Sequence, residues 1–344
     1  MSTIDPKDYL FLPPRAIQVA NTEFERRLNN ISPLTFGVPV IDTRFVPLLD
    51  GDLTGFLARP SMGKTYDMMM LANHHALMLA SLYPDDPPLV IYATWETTVE
   101  EFIGVFSSKH TGYTLSDIGR GTANLTTLKH GLVKLMGTNF AVFGKSVTLA
   151  HAGVRMPSPS VMDLALAIRS LQDDGHKVAV VFMDYLQRIP DQQRVYTMDG
   201  VQSRVSGNLE SIKEDLCMVL GLPVVVGIQA ARQVDKYPGI KLPLMDDGQW
   251  TSNIEQTCDK LMSITRPGVY QQPGYQFIVN GKIYVVTNTT KVIRMIKQRF
   301  ESAQNTDIWV LQYDPVQIAV TEQQPTGDAP PPDVDDQGDL SDVV

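Results

Sequence analysis

The stretch ARPSMGKTYDMMM, residues 58 to 70, directly follows the apolar run LTGFLA, residues 53 to 58. A short apolar strand, a glycine-containing loop, then a lysine and a hydroxyl opening a helical segment is the order of a phosphate-binding loop. Here it reads Ala58, four residues, Gly63, Lys64 and Thr65. Gly63 permits close backbone approach, and the amides at the helix start point at phosphate oxygens. Arg59, Ser61, Met62 and Gly63 are therefore expected to cradle the phosphates of ATP. Lys64 would neutralise the β and γ charge and Thr65 would offer its hydroxyl to Mg²⁺. Ala58 stands where such loops usually carry their first glycine.

Working outward, the chain alternates apolar runs with helical stretches. The runs are LVIYATW (89–95), FAVF (140–143), VAVVFMDYL (178–186), PVVVGIQ (223–229) and KLMSIT (260–265). Runs of Val, Ile and Phe without polar alternation suit strands buried on both faces, and the alternation with helices predicts an α/β fold with a parallel sheet. After residue 265 the pattern changes. YQFIVNGKIYVVTN places Asn-Gly between two alternating segments, a hairpin signal, and IRMIKQR and IWVLQY read as antiparallel strands at the sheet edge.

Three further polar groups fall at strand ends. Asp184 closes VVFMD, where a carboxylate holds magnesium; on its own it also reads as a residue that begins a turn. Glu96 follows LVIYATW, where it would deprotonate an attacking water, or else cap the helix that starts near Thr98. Gln229 ends PVVVGIQ, as a γ-phosphate sensor or an ordinary turn amide. The carboxyl edge of a parallel sheet is where such folds bind ligands, and nucleotide hydrolysis is the expected chemistry.

The composition sets limits on the function. Hydrophobic residues make up 43% of the 344, enough for a sizeable core, and the net charge of −9 argues against a broad nucleic-acid-coating basic face. No apolar run is long enough to cross a bilayer and the start lacks the order of a signal peptide, so a cytoplasmic, non-membrane protein is expected. Cys217 and Cys258 form no ligand pattern and read as reduced core thiols. His74 and His75 are adjacent on a helix and point too far apart to share a metal. Residues 321–344 are rich in Pro and Asp and are expected to be a disordered acidic tail, solubilising or docking in role.

In this order and at these separations, RPSMGKT, MDYLQ, IEQTCD and KQR resemble the motor domain of the hexameric replicative helicases of bacteria and their phages, the DnaB family. The resemblance covers about residues 35 to 320 and implies a RecA-like ATPase fold with ATP and Mg²⁺ as cofactors. It makes Lys64 and Thr65 the phosphate and magnesium ligands, Asp184 the second magnesium carboxylate, Glu96 the catalytic base and Gln229 the γ-phosphate sensor. Lys297 and Arg299 match the basic pair inserted into the neighbouring subunit's site. By spacing alone they read as outward charges on an edge strand, since alternate residues share a face.

A trans-acting pair requires a homo-oligomer, in this family a hexamer on single-stranded DNA. The loop AARQVDKYPGIKLP supplies Arg232, Lys236 and Lys241 as expected DNA contacts, against the plainer reading of a mobile basic loop. The N-terminal segment, residues 1–34, carries a helix over 15–29 with Ile17, Phe24 and Leu28 on one face; it suits either an adjacent subunit or its own domain.

The expected form is phage-like, without the family's N-terminal collar domain. Partner classes implied are a primase, a loader or a single-strand-binding protein. FESAQN replaces the family's Gly-rich turn after Arg299, and Thr94-Trp95-Glu96 replaces Ser-Leu-Glu. The leading expectation is a DNA helicase; the alternative is an assembly ATPase that switches state with nucleotide and does not unwind.

Overall fold

A computed structural model describes residues 12–29, 33–136, 139–190, 198–248, 253–299, 307–314 and 319–329. Its strands are β1 (Leu53–Ala58), β2 (Leu89–Thr94), β3 (Phe140–Phe143), β4 (Val178–Asp184), β5 (Val224–Gln229) and β6 (Lys260–Thr265), followed by β7 (Gln276–Val279), β8 (Lys282–Val285), β9 (Thr290–Gln298), β10 (Ile308–Asp314), β11 (Ala319–Glu322) and β12 (Gly327–Asp328). Each apolar run of the sequence forms one strand. The main sheet has the order β11-β10-β9-β6-β1-β5-β4-β2-β3. From β6 to β3 neighbouring strands are parallel; β9, β10 and β11 are added antiparallel.

The strand β1 lies near the middle of this sheet and all six of its residues are buried. Phe56 and Ala58 face one core layer, packed by Met68, Leu71 and Leu79 of the helix Lys64–Leu82 and by Phe36 and Phe45 of the segment before β1. Leu53 and Leu57 face the other, with Leu164 and Ile168 of the helix Val161–Asp173 and Leu209, Leu216 and Cys217 from the helical stretch 198–219. This two-sided burial is why the strand shows no polar alternation. Between them Gly55 has no room for a side chain: a Cβ there would lie 2.8 Å from both Ile228 Cδ1 and Leu261 Cδ1. The helix Val161–Asp173 begins in a capping box in which Ser160 and Asp163 exchange hydrogen bonds.

Both cysteines are buried free thiols, with burial pushing the Cys258 thiol up to about 12. His75 is also a core residue. Its Nε2 meets the Thr35 carbonyl at 2.7 Å, and burial holds its pKa down to about 3, so it ties the segment before β1 to the helix Lys64–Leu82 as a neutral ring.

Two expectations are corrected here. The strand carrying Lys297 is not at an edge, because β9 is flanked by β6 and β10. The chain is also ordered beyond the expected boundary at 321. Buried Gln323 accepts from Thr290 Oγ1 at 2.8 Å and donates to the Val285 carbonyl at 2.7 Å, and β12 pairs with β8. The polar composition of TEQQ masked this, since a glutamine with both ends satisfied is as buried as an apolar residue. The remainder of the expected tail, 330–344, lies outside the described residues.

The hairpin forms as predicted, with Asn280 and Gly281 at φ 51° and 72°, the left-handed pair a two-residue turn needs. It does not extend the main sheet. Together, β12, β8 and β7 make a second small sheet whose Phe277 and Val279 enclose Ile240 and Leu242 with Val292 and Val310. The helix Pro13–Asn29 begins two residues before the expected 15–29, and its Ile17 and Phe24 are exposed at 59% and 60%.

Candidate functional site: the carboxyl edge of the sheet

The loop between β1 and the helix Lys64–Leu82 opens a cavity of about 390 Å³. Ser61 and Gly63 take positive φ, 68° and 85°, which curls the backbone around the cavity floor. No side chain caps the helix, so its first amides remain available to an anion. Arg59, Ser61, Gly63, Lys64, Thr65, Glu96 and Gln229 all line this one cavity, along with Tyr185.

Lys64 Nζ lies 4.0 Å from the centre of the Tyr185 ring. Burial pulls its pKa below the ordinary value, opposed by the charges of Asp184 and Glu96. Its stem passes over Gly227, where a Cβ would stand 3.0 Å from Lys64 Cε. A glycine inside a strand run is a signal of such close approach, and it could have been read from PVVVGIQ.

Asp184 is buried. Tyr92 Oη donates to its Oδ2 at 3.3 Å, while Oδ1 has no hydrogen-bond partner among the described residues. A buried carboxylate oxygen with no donor is costly unless a cation is to fill the gap. Asp184 and Thr65 therefore fit the magnesium ion of a nucleotide complex.

Glu96 carries a pKa raised by burial first and by Asp184 next, opposed by Lys64. The competing role as a helix cap is taken by other residues: Thr98 and Glu101 bond reciprocally at the start of the helix Val99–Thr111. Gln229 is held through its backbone. Its N–H donates to Gln187 Oε1 at 3.0 Å, and Gln187 Nε2 returns a longer bond of 3.5 Å to the Gln229 carbonyl. Gln187 is the last residue of MDYLQ and was not singled out as functional in the sequence; neither were Tyr185 and Gly227.

Two expected cradle residues commit their side chains elsewhere. Met62 is 2% exposed, and its sulfur accepts from Arg266 N at 3.4 Å, so its side chain anchors the loop in the core and turns away from the cavity. Arg59 borders the cavity, but its guanidinium is committed: two bonds to the Asp235 carboxylate at 3.0 and 2.9 Å and one to the Ala230 carbonyl at 2.9 Å. It therefore ties the phosphate loop to the turn Arg232–Lys236.

That turn belongs to the loop read as a DNA contact. Arg232 and Lys236 are exposed. Lys241 is not free, since its ammonium donates to the Asp235 carbonyl and sits 4.9 Å from the centre of the Tyr270 ring. The loop is braced as well: Gln233 and Tyr237 bond buried Asp247 at 2.6 and 2.8 Å, and Tyr270 Oη donates to Asp235 at 2.9 Å.

Lys297 and Arg299 lie elsewhere. Gln298 pairs with Lys260 and Lys260 with Thr54, so the end of β9 sits beside the start of β1 while the cavity opens at its end. Six strand residues span roughly 20 Å, which keeps both cations out of their own chain's site. Lys297 Nζ donates to the Glu255 and Cys258 carbonyls at 2.6 and 2.7 Å, and Arg299 Nη1 to Asp259 Oδ1 at 2.7 Å. The Arg299 side chain is still 61% exposed. FESAQN, which follows, lies outside the described residues.

The family description DnaB-like helicase C terminal domain matches residues 34–312. The chain belongs to this family. Among curated proteins, the DnaB-like chain is 24% identical over 262 residues to a probable plasmid replicative DNA helicase of Chlamydia psittaci, covering 74% of the chain and 52% of that relative. It is also 24% identical to the replicative DNA helicase DnaB of Pasteurella multocida, covering 74% and 51%. The DnaB-like chain thus spans about half the length of the curated relatives it matches.

Two solved structures share the fold. One, a structure of an ATPase domain, aligns at a TM-score of 0.66 with 19% identity, over 90% of this chain and 98% of that one. A DnaB-like replicative helicase studied with its primase aligns at 0.69 with 17% identity, over 92% and 68%. The expected RecA-like α/β core is therefore the observed one. Among the described residues, no helix is long and apolar enough to cross a membrane.

Proposed function

We propose that this chain is an ATP-driven motor that assembles as a ring, a hexamer by family, translocates on single-stranded DNA and separates duplexes in the cytoplasm of a bacterial or phage-infected cell. The observation that carries the reading is the split of charge between the two sheet edges. Lys64, Thr65, Glu96, Asp184 and Gln229 converge at the carboxyl edge, and Lys297 and Arg299 stand at the other, out of reach of their own site. Held at the far edge, Lys297 and Arg299 would reach the site of a second copy and stabilise the transition-state charge there.

In this mechanism the loop amides and Lys64 hold the phosphates of ATP. Thr65 and Asp184 would hold Mg²⁺, which when bound neutralises charge between the β- and γ-phosphoryl groups. Glu96 accepts the proton of the water that attacks the γ-phosphorus as the bond to the β–γ bridging oxygen breaks. Gln229, fixed by Gln187, meets the γ-phosphate and passes its presence to the turn Arg232–Lys236, which Arg59 also touches. Arg232 and Lys236 face the DNA backbone. A primase, a loader or a single-strand-binding protein completes the machinery.

The test is steady-state ATP hydrolysis with and without single-stranded DNA at low and moderate salt, followed by a strand-separation assay. Strong, salt-sensitive stimulation supports the motor. Turnover indifferent to DNA favours the nucleotide-switched assembly, for which the engagement of Lys241 by Asp235 and Tyr270 is the structural argument.

A further inference from the structure

Against the phosphate loop, but not among the residues lining the cavity, lies a buried ion pair. Asp67 stands in the first turn of the helix Lys64–Leu82 and Lys291 is the second residue of β9. Their side chains are 0% and 1% exposed and bonded to each other. The Lys291 ammonium is walled by aromatic rings, 5.4 Å from the centre of Tyr66 and 5.2 Å from that of Tyr313. Arg266, half-buried, stacks on Tyr313 at 4.4 Å and completes the cluster.

Two observations connect this pair to the phosphate site. A Cβ built on Gly63 would lie 3.3 Å from Lys291 Nζ and 3.5 Å from Arg266 Cδ, so the ammonium rests directly against the loop backbone. Moreover, the second Asp67 oxygen, Oδ2, and Arg266 Nε are buried without a hydrogen-bond partner among the described residues. The cluster is thus buried, but not saturated by its own contacts among the described residues.

The helix N-terminus attracts anions, and Asp67 places a carboxyl group there, within the first turn and on the same end as the phosphates. Buried within 4 Å of Gly63, a charge on Lys291 acts strongly on a phosphate on the other side of that glycine. Burial of an uncompensated Asp67 would repel the nucleotide. Burial of an uncompensated Lys291 would hold it.

We propose that Asp67 and Lys291 are positioning residues that set nucleotide affinity from behind the loop: Lys291 draws the phosphates in, and Asp67 offsets that pull so that the product leaves. This rests on the reading of the loop as a nucleotide site. The pair itself lines no part of the cavity and touches no phosphate.

The experiment is calorimetric titration of the full chain with Mg-ADP and with a non-hydrolysable ATP analogue, alongside thermal melts. Asp67→Asn, which keeps shape and an acceptor for Lys291, is expected to bind roughly tenfold more tightly, and Lys291→Met roughly tenfold more weakly. The double variant should return to within about threefold of the unmodified chain. Opposite signs that cancel are what a purely structural pair does not produce.

Lys64→Ala serves as the control. Absence of binding by the unmodified chain would remove the nucleotide reading itself. Binding that Lys64→Ala abolishes, with Asp67→Asn no tighter than the original or unable to fold, would overturn the proposal alone. If Lys291→Met does not fold, Asp67→Asn decides.

Discussion

The two edges of the sheet carry opposite kinds of site. At the carboxyl edge Lys64, Thr65, Glu96 and Gln229 line one cavity, beside a buried Asp184 whose Oδ1 has no partner among the described residues and with Glu96 released from capping duty. At the amino edge Lys297 and Arg299 are bonded to carbonyls and to Asp259, which also receives the Leu53 N–H at 2.8 Å and Lys213 Nζ at 2.5 Å. One edge is open and prepared; the other is closed on itself apart from the exposed Arg299. The difference is what the proposed sharing of sites between copies of the chain would require.

The largest effect should come from the open edge. Lys64→Ala removes the cation of the cradle and should lower ATP turnover by at least ~10³-fold with loss of nucleotide binding, read by steady-state hydrolysis and titration. The closed edge is tested next. Arg299→Ala should lose turnover by about 10²-fold or more and keep nucleotide affinity, because the lost cation is not part of the chain's own cavity. Mixing it with inactive Glu96→Gln should restore part of the activity, and a mixture as dead as its components would break the comparison.

A smaller effect is set by pH. Burial and Asp184 raise the pKa of Glu96 above the ordinary glutamate value of 4.5, and a base works only when deprotonated. Turnover should therefore fall as the pH is lowered, beginning above the range of an exposed glutamate, and a flat acid limb would remove Glu96 from the role. The smallest effect concerns Gln187. Gln187→Ala frees the backbone of Gln229 and should lower kcat roughly tenfold with little change in KM. An equal rise in KM would mean that Gln187 shapes binding as well as the response to the γ-phosphate.

Much of the open edge was legible in the sequence because its signals are local. The apolar runs mark where strands end, and Asp184 and Gln229 are the last residues of theirs while Glu96 follows β2 closely. Gln187 was harder to see. Its role comes from the pairing of β4 with β5, a contact between residues far apart in sequence. Met62 misled for a related reason, since a loop methionine reads as part of the cradle until β6 and the residue after it supply the Thr265 and Arg266 partners of its sulfur. Lys297 and Arg299 were placed by resemblance, and their distance from their own cavity required the antiparallel register of β9. The ordered Gln323 region shows the limit of composition, which records polarity but not whether a polar group has found a partner.

The strand β9 joins the contrasted regions, with Lys291 near its first residue against the phosphate loop and Lys297 near its last. Its nine residues, paired with β10 at the first end and with β6 toward the last, span about 30 Å of backbone. In a closed ring each such strand would act as a rod whose one end feels the local nucleotide and whose other end touches the next subunit's. The ring would then be wired in series, with its rhythm set by the stiffness of one strand per subunit, and a single chain with a softened β9 would interrupt the circuit for all the others.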